Sequence, residues 1–181
     1  LDLTGVYTFE DMRVSLGFAD RPAVETADTT VHFIDVGQGD STLVISNGKT
    51  MLVDCGDLDD DNTVIKYLQG LNIEKLDVII ATHPHSDHIG EMSEIIADFQ
   101  TDMFIMPKVP SDQTPTTNVY ENMLLSLQDK GMKITEANDE SFQLGNVEVE
   151  LYTVKEEYSD LNNYSVLVKV VHGENSFLIT G

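Results

Sequence analysis

Three of the chain's five histidines fall within one heptapeptide, Thr82-His83-Pro84-His85-Ser86-Asp87-His88. No other segment constrains the fold as much. It follows a near-continuous apolar run at 76–81, which reads as a buried strand. Ile89, Met92, Ile95, Ile96 and Phe99 come next at helical spacing and predict a helix over 89–99. Pro84 biases His83 toward extended backbone. In an extended stretch, residues 83, 85 and 87 project to the same side, so two imidazoles and a carboxylate converge. His88 adds a fourth group as the chain turns into the helix. Imidazole and carboxylate suit zinc and neighbouring first-row metals. Asp87 also suits a helix cap, but a cap alone leaves the density of ligand-type residues unexplained. The segment reads as a metal site.

The flanking pattern gives the architecture. A β-branched run at 31–36 ends at Gly37-Gln38-Gly39-Asp40, a second strand follows at 41–46, and Asn47-Gly48 signals a tight hairpin into a third at 50–54. This predicts an antiparallel meander. A helix is expected at 62–69, capped by Asp60, Asp61 or Asn62 and ended by Gly70. Further on, the pattern predicts a strand at 103–106, a Pro-rich loop through Pro107, Pro110 and Pro115, and a helix at 117–130 stopped by Gly131. Strands are expected at 133–136, 141–144, 147–153, 165–171 and 176–180. The fold class is α/β, in layers of the α+β kind. Residues 1–30 lack clear periodicity and read as an arm or linker, with a short strand near 13–18; residues 31–181 read as the domain.

Charge limits the function. Ten Lys and Arg against 32 Asp and Glu give a net charge of −22, and the ten are scattered. A basic grip on DNA or on an anionic membrane is therefore disfavoured. No apolar run approaches the roughly 20 residues of a spanning helix, so membrane insertion is not expected. A single cysteine excludes an intrachain disulfide framework and a Cys-rich zinc module.

The His-x-His-x-Asp-His pattern after a buried strand resembles the signature loop of the metallo-β-lactamase superfamily. The resemblance implies an αββα sandwich, with His83 and His85 on one metal and Asp87 and His88 on a second. Asp54, in Leu52-Val53-Asp54-Cys55-Gly56, matches an acidic residue that supports this loop from behind; as a plain turn-former before Gly56 it needs no such role. The run from His32 to Ser41 resembles the opening of the extracellular hydrolase domain of ComEC-type DNA-uptake proteins, to which phosphorylcholine esterases look related. Asp40 either faces the site or makes local turn bonds.

The pattern also departs from the family. Where a third histidine is expected, the sequence reads Asn162-Asn163-Tyr164-Ser165. Asn163 is a candidate metal or substrate contact, or a strand-entry turn residue. His32 and His172 read as structural and exposed, respectively. The family's bridging Asp would follow Gly181, so the domain is expected to be incomplete at its C-terminus by that comparison. The resemblance thus implies a metal-dependent hydrolase of phosphodiester or phosphocholine-type esters, with Asp87 orienting a metal-activated water. Two divalent ions are expected, zinc foremost, with manganese or iron also suited. The alternatives are a partly degenerate metal-binding module and a nuclease in DNA uptake. Further expectations are a small-molecule or phosphodiester substrate, an extracellular or cell-surface setting implied by the resemblance, and a homodimer through an exposed sheet edge.

Overall fold

The computed structural model describes residues 28–58 and 61–181. The strand expected near 13–18, and Asp60, lie outside them. The first three strands are β1 (Thr29–Phe33), β2 (Thr42–Ser46) and β3 (Lys49–Val53), an antiparallel meander as expected. Asn47 and Gly48 both take positive φ, 48° and 74°, which is what the tight turn between β2 and β3 requires. Thr29 and Thr30 already pair with Ser46 and Ile45, so the boundary expected at 30 falls inside the sheet. β1 also ends earlier than expected, at Phe33. One bond, from the Ile34 N–H to the Ser41 carbonyl at 2.9 Å, continues the pairing before the glycine loop leaves the ladder.

Next come α1 (Thr63–Gly70), β4 (Lys75–Ile80), α2 (Ser86–Ile89), α3 (Met92–Asp98), β5 (Gln100–Met106), α4 (Asn118–Asp129) and β6 (Ile134–Glu136). Strands β3 to β6 are parallel neighbours, joined by helical crossovers, and complete a six-stranded sheet in the order β1-β2-β3-β4-β5-β6. A second, antiparallel sheet holds β7 (Glu140–Leu144), β8 (Val147–Tyr152), β9 (Leu167–His172) and β10 (Asn175–Ile179) in the order β10-β9-β8-β7. A 3-10 turn, Leu161–Tyr164, leads into β9.

Alternation explains why the first sheet has two cores. Leu43, Leu52, Ile79 and Phe104 face the helices and pack with Val64, Leu68, Ile95, Ile96 and Met123. Their sequence neighbours Val44, Met51, Val53, Val78, Ile80 and Ile105 face the second sheet and meet Val149, Leu151, Val168 and Val170. A sheet buried on both faces needs the continuous apolar runs seen in the sequence. The layers among the described residues are therefore helices, mixed sheet and antiparallel sheet, three of the four that the resemblance implies.

Two helix expectations differ in detail. The single helix expected over 89–99 is split in two. The Gly90 N–H leaves the helical pattern to donate to the Gly56 carbonyl at 2.8 Å, and a Cβ on Gly90 would lie 2.1 Å from the Asp57 backbone. Only glycine fits there. At α1, Asn62 sits at the N-cap with φ 51° and makes no side-chain cap bond. The buried carboxylate of Glu91 accepts from the Val64 and Ile65 N–H groups instead, each at 3.1 Å, so the cap comes from the break in the other helix.

Candidate metal centre

The parallel strands end at one rim, the place where open α/β sheets present their ligand sites. β3 runs out into Asp54 and β4 into Thr82 and His83. The Asp54 N–H donates to the Ile80 carbonyl at 2.9 Å, which fixes the two exits side by side. Asp54 has φ 57°, a left-handed conformation that Asp tolerates better than most residues, and its side chain is fully buried. Its carboxylate accepts from the Thr82 N–H at 2.7 Å and the Thr82 hydroxyl at 2.6 Å, and bonds His88 Nδ1 at 2.8 Å. Burial raises Asp54 above the ordinary carboxylate range, yet three donors surround it and favour the ionised form.

That carboxylate sets His88. Burial alone would lower its pKa, but the hydrogen bond and charge of Asp54 outweigh burial and raise it. With Nδ1 donating to Asp54, Nε2 is left free. His83 is only 1% exposed and is lowered to about 4, first by burial and then by the neighbouring His88 and His85. It is neutral at pH 7, the form that binds metal. His83 Nε2 lies 3.1 Å from His85 Nδ1, and the His83 ring centroid is 4.1 Å from that of His88. His83 Nδ1 faces the Ser165 hydroxyl at 3.1 Å and the Thr82 hydroxyl at 3.2 Å.

Asp87 is half-buried, and Gln38 Nε2 donates to its Oδ2 at 3.2 Å. Burial works against ionisation here, but the Gln38 bond, a backbone N–H and the nearby histidines outweigh it and lower the carboxyl's pKa. The loop carrying Gln38 can approach only because of Gly39. At φ 87°, a Cβ there would lie 1.7 Å from the Asp87 carbonyl oxygen. The Gly56 N–H to the Asp40 carbonyl, 2.9 Å, and the Cys55 N–H to the His88 carbonyl, 2.9 Å, close the bracket around residues 87–90.

The sequence-predicted residues thus fall in different places. His83, His85 and His88 come together, with Asp87 beside them and Asp54 behind. Asp40 is exposed; its charge reaches His88, and its backbone carbonyl serves the bracket. Asn163 gives its N–H to the Asp160 carbonyl, whereas Asn162 puts its Oδ1 3.1 Å from His85 Nδ1. Asn162, not Asn163, faces the cluster. His172 is exposed at the β9–β10 turn, and His32 bonds Tyr67 and Thr30. Gln38, Thr82 and Ser165 were not singled out by sequence. Gln38 carried only the signal of lying between two glycines, and Ser165 carried none.

As the side chains stand, no group of three or more His, Cys, Asp or Glu among the described residues is arranged to hold a metal ion. The donors nonetheless fit one in pairs. Two nitrogens on a tetrahedral zinc, each about 2.05 Å from it, lie about 3.3 Å apart. His83 Nε2 and His85 Nδ1 are already near that separation. His88, with its outer nitrogen free, stands alongside. On the same rim, two adjoining hollows of about 260 and 160 Å³ share Pro107, Lys108 and Glu136, and Tyr164 lines the smaller one.

The sequence model of the metallo-beta-lactamase superfamily matches residues 34–181. The chain belongs to the metallo-beta-lactamase superfamily. Members of this superfamily typically bind two metal ions, and many are hydrolases. The chain is 33% identical over 110 residues to ribonuclease Z of Mycolicibacterium gilvum, an alignment covering 56% of this chain and 36% of that protein. It is 23% identical over 180 residues to ComE operon protein 3 of Bacillus subtilis, covering 86% of this chain and 22% of the relative. The chain therefore spans about a third or less of the length of these relatives. A metallo-beta-lactamase of Cronobacter sakazakii, an HARLDQ-motif mutant, has the same fold at a TM-score of 0.60 and 12% identity, covering 84% of this chain and 61% of that one.

Proposed function

We propose that this superfamily member is a metal-dependent hydrolase of phosphodiester or phosphocholine-type esters. The observation that carries the reading is the pairing of His83 Nε2 with His85 Nδ1 at 3.1 Å, beside a His88 already oriented by a buried carboxylate. His83 and His85 would hold one divalent ion and Asp87 and His88 a second, zinc foremost, with manganese or iron also suited. When bound, such ions supply Lewis acidity toward a phosphoryl oxygen and lower the pKa of water. The chain's own residues prepare for this. Burial keeps His83 neutral, Asp54 holds the His88 proton on Nδ1, and Gln38 fixes the Asp87 carboxylate, whose remaining oxygen can accept from and orient a water.

The relative named ribonuclease Z supports phosphodiester chemistry. A charge of −22 argues against a chain that grips a long nucleic acid by its own surface, so a small ester is the better substrate. An extracellular or cell-surface setting is part of the proposal. The test is elemental analysis of protein purified without chelator, together with hydrolysis of bis(p-nitrophenyl) phosphate and p-nitrophenyl phosphorylcholine with added Zn²⁺ or Mn²⁺. About two ions per chain and turnover of either ester, both lost in His85→Ala, is the expected result. Turnover that survives His85→Ala after its metal is gone would sink the reading. A second reading, a metal-binding module without turnover, is favoured by the Asn162 amide at His85, a weaker ligand than imidazole. Metal content without hydrolysis would support it.

A further inference from the structure

His83 meets two hydroxyl groups on its inner nitrogen, and both have already committed their protons. The Ser165 hydroxyl lies 2.8 Å from the Asn162 carbonyl oxygen, which can only accept, and 3.1 Å from His83 Nδ1, so the shorter contact takes the one proton of Ser165. The Thr82 hydroxyl lies 2.6 Å from the Asp54 carboxylate, which takes its proton in the same way. What these oxygens present to His83 Nδ1, at 3.1 and 3.2 Å, is lone pairs alone. A hydrogen bond then requires the proton on Nδ1. We propose that Ser165, together with Thr82, is a positioning residue that locks His83 in its Nδ1–H tautomer and so keeps the Nε2 lone pair directed at His85 and the site.

Backbone contacts hold Ser165 in place for this. The Val166 N–H donates to the Thr82 carbonyl at 2.9 Å and the Ser165 N–H to the Asn162 carbonyl at 3.2 Å, and Ser165 is buried. The entrance to β9 is thereby tied to a loop 82 residues earlier in the chain. The consequence for chemistry is direct. A neutral imidazole has one protonated and one bare nitrogen, and the wrong tautomer would place an N–H where a metal needs a lone pair. The proposal rests on the metal-centre reading for its purpose, but the tautomer itself is a property of the metal-free chain.

The test is long-range ¹H–¹⁵N NMR of metal-free, histidine-labelled protein at pH 7, with Zn²⁺ affinity measured by competition against a chelating dye. Wild-type His83 should show a protonated Nδ1 and a bare Nε2. Ser165→Ala should mix the two tautomers at His83 and weaken Zn²⁺ binding about tenfold, the lower end for such supports because Thr82 remains. Ser165→Thr, which keeps the hydroxyl, should restore both. His88, locked separately by Asp54, is the internal reference and should not change. A protonated Nε2 on wild-type His83 overturns the proposal without any variant. So does a Ser165→Ala protein that keeps the wild-type tautomer, or one that disturbs His83 and His88 equally, since that would be a packing effect. Failure of ester hydrolysis in the wild type would end the hydrolase reading and leave this one standing.

Discussion

Replacing Asp54 separates two jobs that one buried carboxylate performs. In Asp54→Ala, the Thr82 N–H, the Thr82 hydroxyl and His88 Nδ1 all lose their shared acceptor inside a fully buried site. Removing one partner of a buried ionic pair costs about 3–5 kcal/mol, because the other partner stays desolvated and unpaired. For a domain of this size each kcal/mol moves the midpoint by about 2–4 °C, so the metal-free melt should fall by roughly 10 °C. Asp54→Asn is different. It keeps the shape and the tolerance of positive φ at this position, and its Oδ1 can still serve the Thr82 N–H. Its amide N–H₂, however, now faces His88 Nδ1. To make any bond there, His88 must bare Nδ1 and carry its proton on Nε2, the nitrogen that points outward. The Asn variant should therefore lose only about 1–2 kcal/mol of stability, while metal affinity drops about 10–100-fold. Melts in chelator and titrations with Zn²⁺ read the two effects independently. An Asn variant that binds metal like the wild type, or an Ala variant within about 1 kcal/mol of it, would refute the reasoning.

Three further outcomes are expected. Gly39→Ala puts a methyl into the Asp87 carbonyl at a left-handed φ, so it should cost about 2–3 kcal/mol and release Gln38 from Asp87; a melt and metal analysis check this. Glu91→Ala uncaps α1 from a distance and should cost about 2 kcal/mol by urea denaturation, whereas Asn62→Gly, which keeps the left-handed φ and removes no side-chain cap bond, should cost little. Asp77 is held at about 2, below its ordinary 3.8: burial opposes ionisation, but hydrogen bonds from Lys49, the Thr50 backbone and Lys75 outweigh it. A depressed carboxyl stabilises the fold above its unfolded pKa, so this contribution should be present above about pH 4 and vanish as the pH falls through 2. Asp77→Asn should flatten the acid limb of the stability curve in that window by no more than about 1 kcal/mol, since both lysines are well exposed.

Much of the fold and part of the site could be read from local sequence. The Asn-Gly turn needs two positive φ values, the doubly buried sheet needs continuous apolar strands, and a helix stripe has a fixed period; each is a short-range rule, and each was met. What stayed hidden depends on contacts far apart in the chain. The helix over 89–99 looks unbroken by period; what breaks it is the distant 56–57 backbone, which takes the Gly90 N–H and leaves no room for a side chain there. Local sequence offers only neighbours such as Asn62 to cap α1, but Glu91 supplies the cap from within that break. In the Gly37-Gln38-Gly39-Asp40 run, Asp40 carries the more obvious ligand by type, a carboxylate. Yet the loop that lets Gly39 touch Asp87 turns the amide inward and leaves Asp40 exposed.

Asn162 reaches the histidines in place of Asn163 for a geometric reason. In an extended approach to β9, alternate residues share a face, and Asn163 would lie on the same side as Ser165. The chain instead makes a single 3-10 turn over Leu161–Tyr164, where successive side chains are about 120° apart and residues three apart eclipse. That shift puts Asn162 and Ser165 on one side, the first at His85 and the second at His83. The turn is capped by Asp160, whose side chain accepts from the Asn162 N–H at 3.0 Å. One short carboxylate two residues upstream thus decides which of two adjacent, chemically identical amides stands at the histidine cluster.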